Sequence, residues 1–126
     1  MVRKVVVSIK NRLLSEGIEL ELKDSENLKT LVDPCGDSVD MCSVFQADVF
    51  LAEVSGFVGE SLTSRMDEIR NLKYILPGCK SVLLVDDIAY PELAESVQAA
   101  KATGAIDGFL FTTVTASYLK AYLSSV

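Results

Sequence analysis

The sequence contains no histidine and no tryptophan, and its three cysteines do not form a Cys-x-x-Cys pair. Without histidine, Ser-His catalytic triads and imidazole-ligated metal sites are excluded, and acid–base catalysis at neutral pH loses its usual carrier. An odd number of cysteines without that spacing indicates reduced thiols, as in a cytoplasm. We therefore interpret Cys35, Cys42 and Cys79 as small hydrophobic side chains.

Long apolar runs are also missing. No stretch approaches the roughly 20 residues that a membrane-spanning helix needs. The apolar run after Arg3-Lys4 is shorter than the about 7–15 residues of a secretory signal core, and no small-residue cleavage site follows it. We interpret this run as a first strand, and we expect a cytoplasmic protein that has no membrane contact.

Basic charge is scarce, because 12 Lys and Arg residues face 18 Asp and Glu residues, for a net charge of −6. Nucleic-acid binding needs a basic surface that releases counterions, so this balance argues against direct contact with nucleic acid. The glycines match neither G-x-x-x-x-G-K-[ST] nor G-x-G-x-x-G, the loops that hold nucleotide phosphates. We expect neither a nucleic-acid partner nor a cofactor.

The sequence does contain five short apolar runs that alternate with five helical patterns, in 126 residues of which 49% are hydrophobic. Continuous apolar runs are typical of strands that are covered on both faces, as in a parallel sheet between two layers of helices. Right-handed crossovers then favour an α/β fold with a doubly wound, five-stranded sheet. The predicted strands are Val5–Val7, Leu28–Val32, Val49–Val54, Ser81–Val85 and Gly108–Phe111.

The helices are predicted from apolar residues that recur at spacings of three and four. Candidate helix starts are Asn11, Asp37, one of Ser61, Thr63 and Ser64, the region of Pro91, and Thr115. The residues predicted on the apolar faces of the first four helices are Leu14, Ile18 and Leu22; Met41, Val44 and Phe45; Met66, Ile69, Leu72 and Ile75; and Leu93, Val97 and Ala100. The last helix carries Tyr118, Leu119 and Tyr122, and we expect either its tyrosines or its leucines to pack on the sheet.

Three local segments resemble a family of signalling domains: NRLLSEGIELEL (11–22), ADVFLAEV (47–54) and DGFLF (107–111). With the order and length of the predicted elements, they resemble a response-regulator receiver domain over essentially the whole chain. The first segment is similar to receivers that usually carry a C-terminal helix-turn-helix. The resemblance implies a CheY-like, flavodoxin-like sheet of strand order 2-1-3-4-5. It also implies one receiver-like domain over residues 1–126, with no output domain after Val126.

The same resemblance implies a phosphorylation site from which this sequence departs. In a receiver, two acids after the first strand and an Asp on the third bind magnesium, and a hydroxyl and a Lys hold the phosphoryl oxygens. Here the acid pair is replaced by Ile9 and Lys10, the acceptor by Glu53, the hydroxyl by Val85 (or Asp86) and the Lys by Thr112, while the coupled aromatic is kept as Phe109. Because phosphoryl transfer depends on positioning and electrostatics, these departures indicate a degenerate receiver that is not phosphorylated.

Two of these positions carry opposite charges. Lys10 falls near the place of the metal, and Glu53 falls at the place of the acceptor. One hypothesis is a fixed Lys10–Glu53 ion pair that replaces metal and phosphoaspartate and locks one conformation. The alternative is that both side chains are solvated and contribute little.

Two clusters at the predicted strand ends also have two interpretations. Asp86-Asp87, together with the third-strand carboxylate, would bind a divalent cation, but a solvated loop before the fourth helix fits these acids better. Thr112, Thr113 and Thr115 would form an anion site, or a loop followed by a helix cap. We predict no metal site, with Asp86 and Asp87 as the remaining candidates.

The resemblance implies a role in two-component signal transduction. We expect a non-catalytic, phosphorylation-independent pseudo-receiver that acts by protein–protein contact. Its partner would be another protein or a second copy, bound at the surface of helix 4, strand 5 and helix 5. One alternative is a phosphoacceptor response regulator with a displaced acidic site. The other is a flavodoxin-like domain that senses a small ligand at the strand ends.

Overall fold

The computed structural model of the chain describes residues 2–33, 38–55 and 60–126, apart from the side chains of residues 60 and 61. Five strands alternate with five helices in this part of the chain. In chain order they are β1 Arg3–Ser8, α1 Arg12–Lys23, β2 Leu28–Val32, α2 Ser38–Phe45, β3 Val49–Val54, α3 Glu60–Ile75, β4 Lys80–Val85, α4 Pro91–Ala102, β5 Gly108–Phe111 and α5 Ala116–Ser125.

The strands form one parallel sheet in the order β2-β1-β3-β4-β5. This confirms the predicted α/β, doubly wound architecture and its strand order. The β-branched and apolar runs are the cause, because a sheet covered on both faces has no side that tolerates polar residues. β2, β3 and β5 have the predicted bounds. β1 and β4 each extend farther, to include Arg3, Lys4, Ser8 and Lys80.

Alternate strand residues supply two separate cores. Val6, Phe50 and Leu83 point to the face that is covered by α2, α3 and α4. Val7 and Leu51 point to the opposite face, which is covered by α1 and α5. Full burial of one such side chain contributes about 1.5–3 kcal/mol, so these two layers stabilise the sheet and fix the positions of its strand ends.

The helical phase was predicted incorrectly at two positions. Val44 on α2 is 87% exposed and Ile75 on α3 is 51% exposed. Cys42 is fully buried on α2, and Leu76, just after α3, packs against the same core. The apolar patterns of α2 and α3 each contain more apolar residues than the buried stripe holds, so the pattern alone did not fix the phase.

Some of the predicted features lie in residues that the structure does not describe, and one helix begins earlier than predicted. Cys35 and the predicted helix start Asp37 lie outside the described residues. The third helix begins at Glu60, ahead of the three predicted starts. By contrast, the predicted caps of α1 and α5 are confirmed. The Asn11 side chain accepts a hydrogen bond from the N–H of Leu14, and the Thr115 hydroxyl accepts one from the N–H of Tyr118.

The amino ends of the strands are held by carboxylates from the loops. Asp48 Oδ2 accepts a hydrogen bond from the Lys4 N–H at 2.8 Å. Asp107 Oδ2 accepts one from the Ser81 N–H, also at 2.8 Å. These acids satisfy donors that would otherwise end the ladder unpaired. Their role at this edge is structural, and the opposite, carboxyl edge is therefore the place to look for a site.

Two of the cysteines are buried free thiols, as predicted. Cys42 is 0% exposed and Cys79 is 2% exposed, and both belong to the core under α2, α3 and α4. The neighbouring Cys79 side chain and burial raise the pKa of the Cys42 thiol far above its ordinary value. Separately, none of the helices in the described ranges is both long and apolar enough to cross a bilayer.

Candidate functional site at the carboxyl edge of the sheet

The candidate site lies where β1 and β3 end side by side. The two strands are paired, with Ser8 opposite Ala52. Ligands of doubly wound sheets gather beyond these carboxyl ends, near the point where the chain switches from one face of the sheet to the other. Of the predicted site residues, Glu53 and Lys10 meet here. Ile9 instead turns into the core beneath α1 and α5, where it is 7% exposed.

Glu53 and Lys10 are joined through the main chain and not as an ion pair. The backbone N–H of Lys10 donates a hydrogen bond to Glu53 Oε1 at 3.2 Å. In the described part of the chain, ion pairs occur between Arg65 and Glu68 and between Arg70 and Asp67. Of the two hypotheses for these residues, this geometry does not support the Lys10–Glu53 ion pair. The carboxylate accepts a hydrogen bond from a fixed amide, and the Lys10 side chain remains exposed.

The cation at this edge comes from α3. Arg65 is 8% exposed, and its guanidinium reaches from the helix to the ends of both β1 and β3. Nη2 donates to the main-chain carbonyl of Ser8 at 2.9 Å, and Nη1 donates to the Ser8 hydroxyl at 2.9 Å. Nε donates to the main-chain carbonyl of Glu53 at 2.9 Å. One side chain thus connects a helix to two neighbouring strands.

A buried charge needs compensation, and here it is nearby. Glu68 lies one helical turn after Arg65 and pairs with it at 3.2 Å. Arginine suits this position because its planar fork offers five N–H donors in fixed directions and stays charged at all ordinary pH values. The two strand carbonyls, the Ser8 hydroxyl and the Glu68 carboxylate together replace the water that Arg65 loses.

Asp86, the first acid of the pair after β4, has a structural role in the loop. Asp86 Oδ1 accepts hydrogen bonds from the N–H groups of Ile88 at 3.1 Å and Ala89 at 2.9 Å. Asp87 is half-buried beside it. No group of three or more acids or thiols is placed to hold a metal ion anywhere in the described ranges. This geometry favours the loop interpretation of Asp86, whereas Asp87 Oδ1 is buried without a hydrogen-bond partner in the described part of the chain.

The remaining predicted positions, Val85, Phe109 and the threonines after β5, do not bring reactive or ligand-binding side chains together at one site. Val85 is wholly buried, and its carbonyl accepts a hydrogen bond from the Thr112 N–H at 3.1 Å. Phe109 packs against Phe111 with ring centroids 5.6 Å apart. Because Thr115 caps α5, the threonine cluster fits the loop-and-cap interpretation.

The structure is similar to chemotaxis protein CheY4 of Vibrio cholerae, with a TM-score of 0.74 and 17% identity over 100% of this chain and 99% of that chain. It is also similar to a response regulator receiver domain protein of Clostridium thermocellum, with a TM-score of 0.71 and 18% identity over 97% of this chain and 91% of that chain. The fold is that of response-regulator receiver domains. At these identities the likeness establishes the receiver fold and not the chemistry.

A third similar structure is named as an enzyme and not as a signalling receiver. A protein called adenylate cyclase from Rhodopirellula baltica has a TM-score of 0.73 and 15% identity, over 99% of this chain and 87% of that chain. No protein-family model matches the sequence, and no curated protein matches it significantly. The receiver fold is therefore assigned from structure, and the chemistry of the site has to be argued from its own residues.

The residues present do not fit the divalent cation that the receiver fold implies. Magnesium takes hard oxygen ligands in octahedral geometry. The acid pair that would supply them is replaced by Ile9, which is buried in the core, and by Lys10, which carries a positive charge. Of the oxygens that remain at this edge, the hydroxyl and carbonyl of Ser8 and the carbonyl of Glu53 already accept hydrogen bonds from Arg65. The Glu53 carboxylate accepts a hydrogen bond from the Lys10 N–H and is one carboxylate where a receiver supplies three.

Arg65 and Ser8 were missed at the sequence level. A signal for Arg65 was present, because it lies four residues before Ile69 and seven before Leu72, in phase with the apolar stripe of α3. A charged residue in that phase has to be buried or has to reach out of the core. Ser8 gave a weaker signal, as the one hydroxyl at the end of a run of valines.

Proposed function

We propose that this protein is a non-catalytic, phosphorylation-independent receiver-like domain that acts in signal transduction through contacts with another protein. The observation that carries the proposal is the position of Arg65. Its guanidinium is bonded to the ends of β1 and β3 at the edge where a receiver collects magnesium and phosphate. A fixed positive charge is thus held at the same sheet edge at which phosphorylating receivers bind an exchangeable metal ion, which supports the proposal.

The electrostatics support this proposal. A phosphoryl group arriving at a receiver is stabilised by a metal ion and by donors that point at its oxygens. Here Glu53 accepts a hydrogen bond from the Lys10 amide, and the Arg65 donors are engaged with Ser8, Glu53 and Glu68. Thr112 supplies no ammonium group for the phosphoryl oxygens. A protein of this design holds one conformation and has no chemical step with which to change it.

The proposed contact surface is formed by α4, β5 and α5, with a protein as its occupant. Ile88, in the loop before α4, is 77% exposed, and Tyr118 on α5 is 55% exposed. Phe109 and Phe111 lie half-buried on the edge strand β5. Exposed aromatic and aliphatic side chains of this kind are typical anchors of protein interfaces. The net charge of −6 argues against nucleic acid as the occupant.

Phosphorylation is the first test of this proposal. The protein is incubated with magnesium and beryllofluoride while its amide NMR spectrum is recorded, and with magnesium and acetyl phosphate before intact-mass analysis. A phosphorylatable receiver domain is treated in parallel as a control. We expect no adduct and no shift of the amides of Lys10 or Glu53. A stoichiometric phospho-adduct, on Glu53 or on any other acid, would overturn the proposal.

The contact surface has its own test. Wild-type protein, Tyr118→Arg and Tyr74→Arg are used as baits in an extract of the native host. Tyr74 is the matched control, because it is 91% exposed but lies at the end of α3. We expect one specific protein to be retained by the wild type and by Tyr74→Arg but lost with Tyr118→Arg. Equal retention by all three baits would contradict this assignment of the surface.

A further inference from the structure

The outer face of α1 carries an apolar stripe that the fold does not use. Leu13 is 82% exposed and Leu20 is 67% exposed. They are seven residues apart, which is nearly two helical turns, so both side chains lie on one line along the helix. Gly17 lies between them and is also exposed. We call Leu13, Gly17 and Leu20 the α1 stripe.

Gly17 is not explained by the packing of the domain. Glycine in the middle of a helix is unfavourable relative to alanine. A Cβ at this position would meet no atom within 4 Å, and the left-handed backbone that favours glycine is found at Gly104 and not at Gly17. A missing side chain between two exposed leucines leaves a notch, and such a notch allows the backbone of a second helix to come close.

The charges beside the stripe indicate which helix fits the notch. Arg12 and Glu19 are also seven residues apart, on one flank of the stripe, and neither takes part in an ion pair within the described chain. If two copies of α1 cross in opposite directions at Gly17, Leu13 of each copy lies beside Leu20 of the other. The same arrangement places Arg12 of each copy beside Glu19 of the other. The leucines and the Arg12 and Glu19 side chains are therefore complementary between two copies, whereas the exposed Glu16 on the same flank lies opposite Glu16 of the other copy and weakens the contact.

We propose that α1 is a self-association surface, on which a second copy of this chain docks in antiparallel orientation through the α1 stripe. Two helices of 12 residues bury less than the about 1,200–2,000 Å² of a standard stable interface. The expected dimer is accordingly weak and forms in the micromolar to millimolar range. The inference does not rest on the proposed function, since none of its residues belongs to the Arg65 site.

Sedimentation velocity from micromolar to near-millimolar concentration provides the first test. We expect concentration-dependent dimerisation of the wild type. For Leu13→Glu and for Leu20→Glu we expect a dissociation constant that is higher by a factor of roughly ten or more. Val44→Glu is the matched control, because Val44 is 87% exposed on a different helix, and it should dimerise like the wild type. A wild type that stays monomeric throughout, or equal losses in all three variants, would overturn the proposal.

Gly17→Ala distinguishes a role of Gly17 in the dimer contact from its effect on the stability of the helix. Alanine favours the helix and meets no neighbour within the monomer, so the melting temperature of the dilute protein should rise. The same methyl group would fill the notch, so the dimer should dissociate more readily. A rise in melting temperature with unchanged or tighter dimerisation would contradict a close approach at Gly17.

A charge exchange tests the antiparallel register. Arg12→Glu and Glu19→Arg each place like charges at both ends of the proposed contact, and each variant should lose self-association. When the two variants are mixed, opposite charges meet again, and a heterodimer should form with about the affinity of the wild type. If the wild type dimerises but the mixture does not, the proposed register is wrong.

Discussion

Arg65 and Ser8 are joined by two hydrogen bonds of 2.9 Å, one to the hydroxyl and one to the main-chain carbonyl of the last residue of β1. The same guanidinium binds the carbonyl of Glu53 at the end of β3. The contact is specific to arginine, because three acceptors in different directions match a rigid fork better than a single ammonium group. Arg65 is therefore a structural cation placed at the edge where receivers bind a mobile one.

Replacing Arg65 should be costly. Arg65→Met leaves the carbonyls of Ser8 and Glu53 without their donor and removes the charge partner of Glu68. We expect a loss of about 2–4 kcal/mol in the free energy of unfolding, measured by urea denaturation. Arg70→Met is the control, since Arg70 pairs with Asp67 on the exposed side of α3, and its loss should be below about 0.5 kcal/mol. Similar losses for the two variants would show that Arg65 is not fixed as described.

The relation between Lys10 and Glu53 can be tested with a double-mutant cycle. Lys10→Ala, Glu53→Ala and the double variant should give a coupling energy near zero, because the main-chain amide of Lys10 makes the contact and survives the substitution. Glu53→Gln should retain the hydrogen bond and lie within about 0.5 kcal/mol of the wild type. A coupling energy of about 1 kcal/mol or more between the two side chains would instead indicate an ion pair.

Gly108 should tolerate no side chain while Tyr122 is present. A Cβ at Gly108 would lie 1.8 Å from the Tyr122 hydroxyl oxygen and 3.0 Å from the ring carbon that bears it. Gly108→Ala should therefore lower the free energy of unfolding by about 1–3 kcal/mol. Tyr122→Phe removes the nearest atom and should restore part of that loss, although alone it changes little. Purely additive effects of the two substitutions would contradict the clash.

Tyr122 should also make the protein sensitive to alkali. Burial is the main cause that raises the pKa of its phenol above the ordinary value of 10.0, and Tyr118 and Asp107 add to the effect. A native pKa above the unfolded one gives stability that is present below about pH 10 and lost as the pH rises through the native value. Above that pH, the free energy of unfolding, measured by urea denaturation, should decrease less with pH for Tyr122→Phe than for the wild type. Tyr74→Phe, at a 91% exposed position, should decline like the wild type.

The thiols of Cys42 and Cys79 should be unreactive in the native protein. Both are buried, and the raised pKa of Cys42 keeps it in the unreactive, protonated form. In a Cys35→Ser background, a chromogenic disulfide reagent should label neither thiol in native buffer, and should label both in denaturant. Rapid labelling under native conditions would show that the core around α2 opens more readily than its packing implies.

The sheet could be predicted because its information is local. Each buried strand is an apolar run, so Leu28–Val32 and Val49–Val54 were placed residue for residue. The parallel direction followed from the helices between the strands, whereas the strand order came from the resemblance to receiver domains. The phase of α2 could not be predicted in the same way. Val44 was predicted to face inward, whereas the structure buries Cys42, and only the packing against α3 and the sheet selects between the two.

The site was predicted less completely, for a physical reason. Sequence reasoning located the strand ends, and it identified Glu53 and Lys10 as neighbours. It compared side-chain charges, however, whereas the structure joins these residues through a main-chain amide that every residue except proline has. Arg65 was missed because charged residues are ordinarily assigned to the solvent side of a helix. Only the three-dimensional arrangement shows that hydrogen-bond acceptors of Ser8 and Glu53 lie within its reach at the sheet edge.

The triple attachment of Arg65 bears on how this edge could be redesigned. An acid at Lys10 alone would bring oxygen ligands to a place where a guanidinium already lies, and would not open a vacant metal site. Removal of Arg65 alone would leave buried acceptors without donors. A route from this protein to a metal-binding one therefore requires several substitutions at once, and a variant on that route that lacks only Arg65 is expected to be less stable than the starting protein.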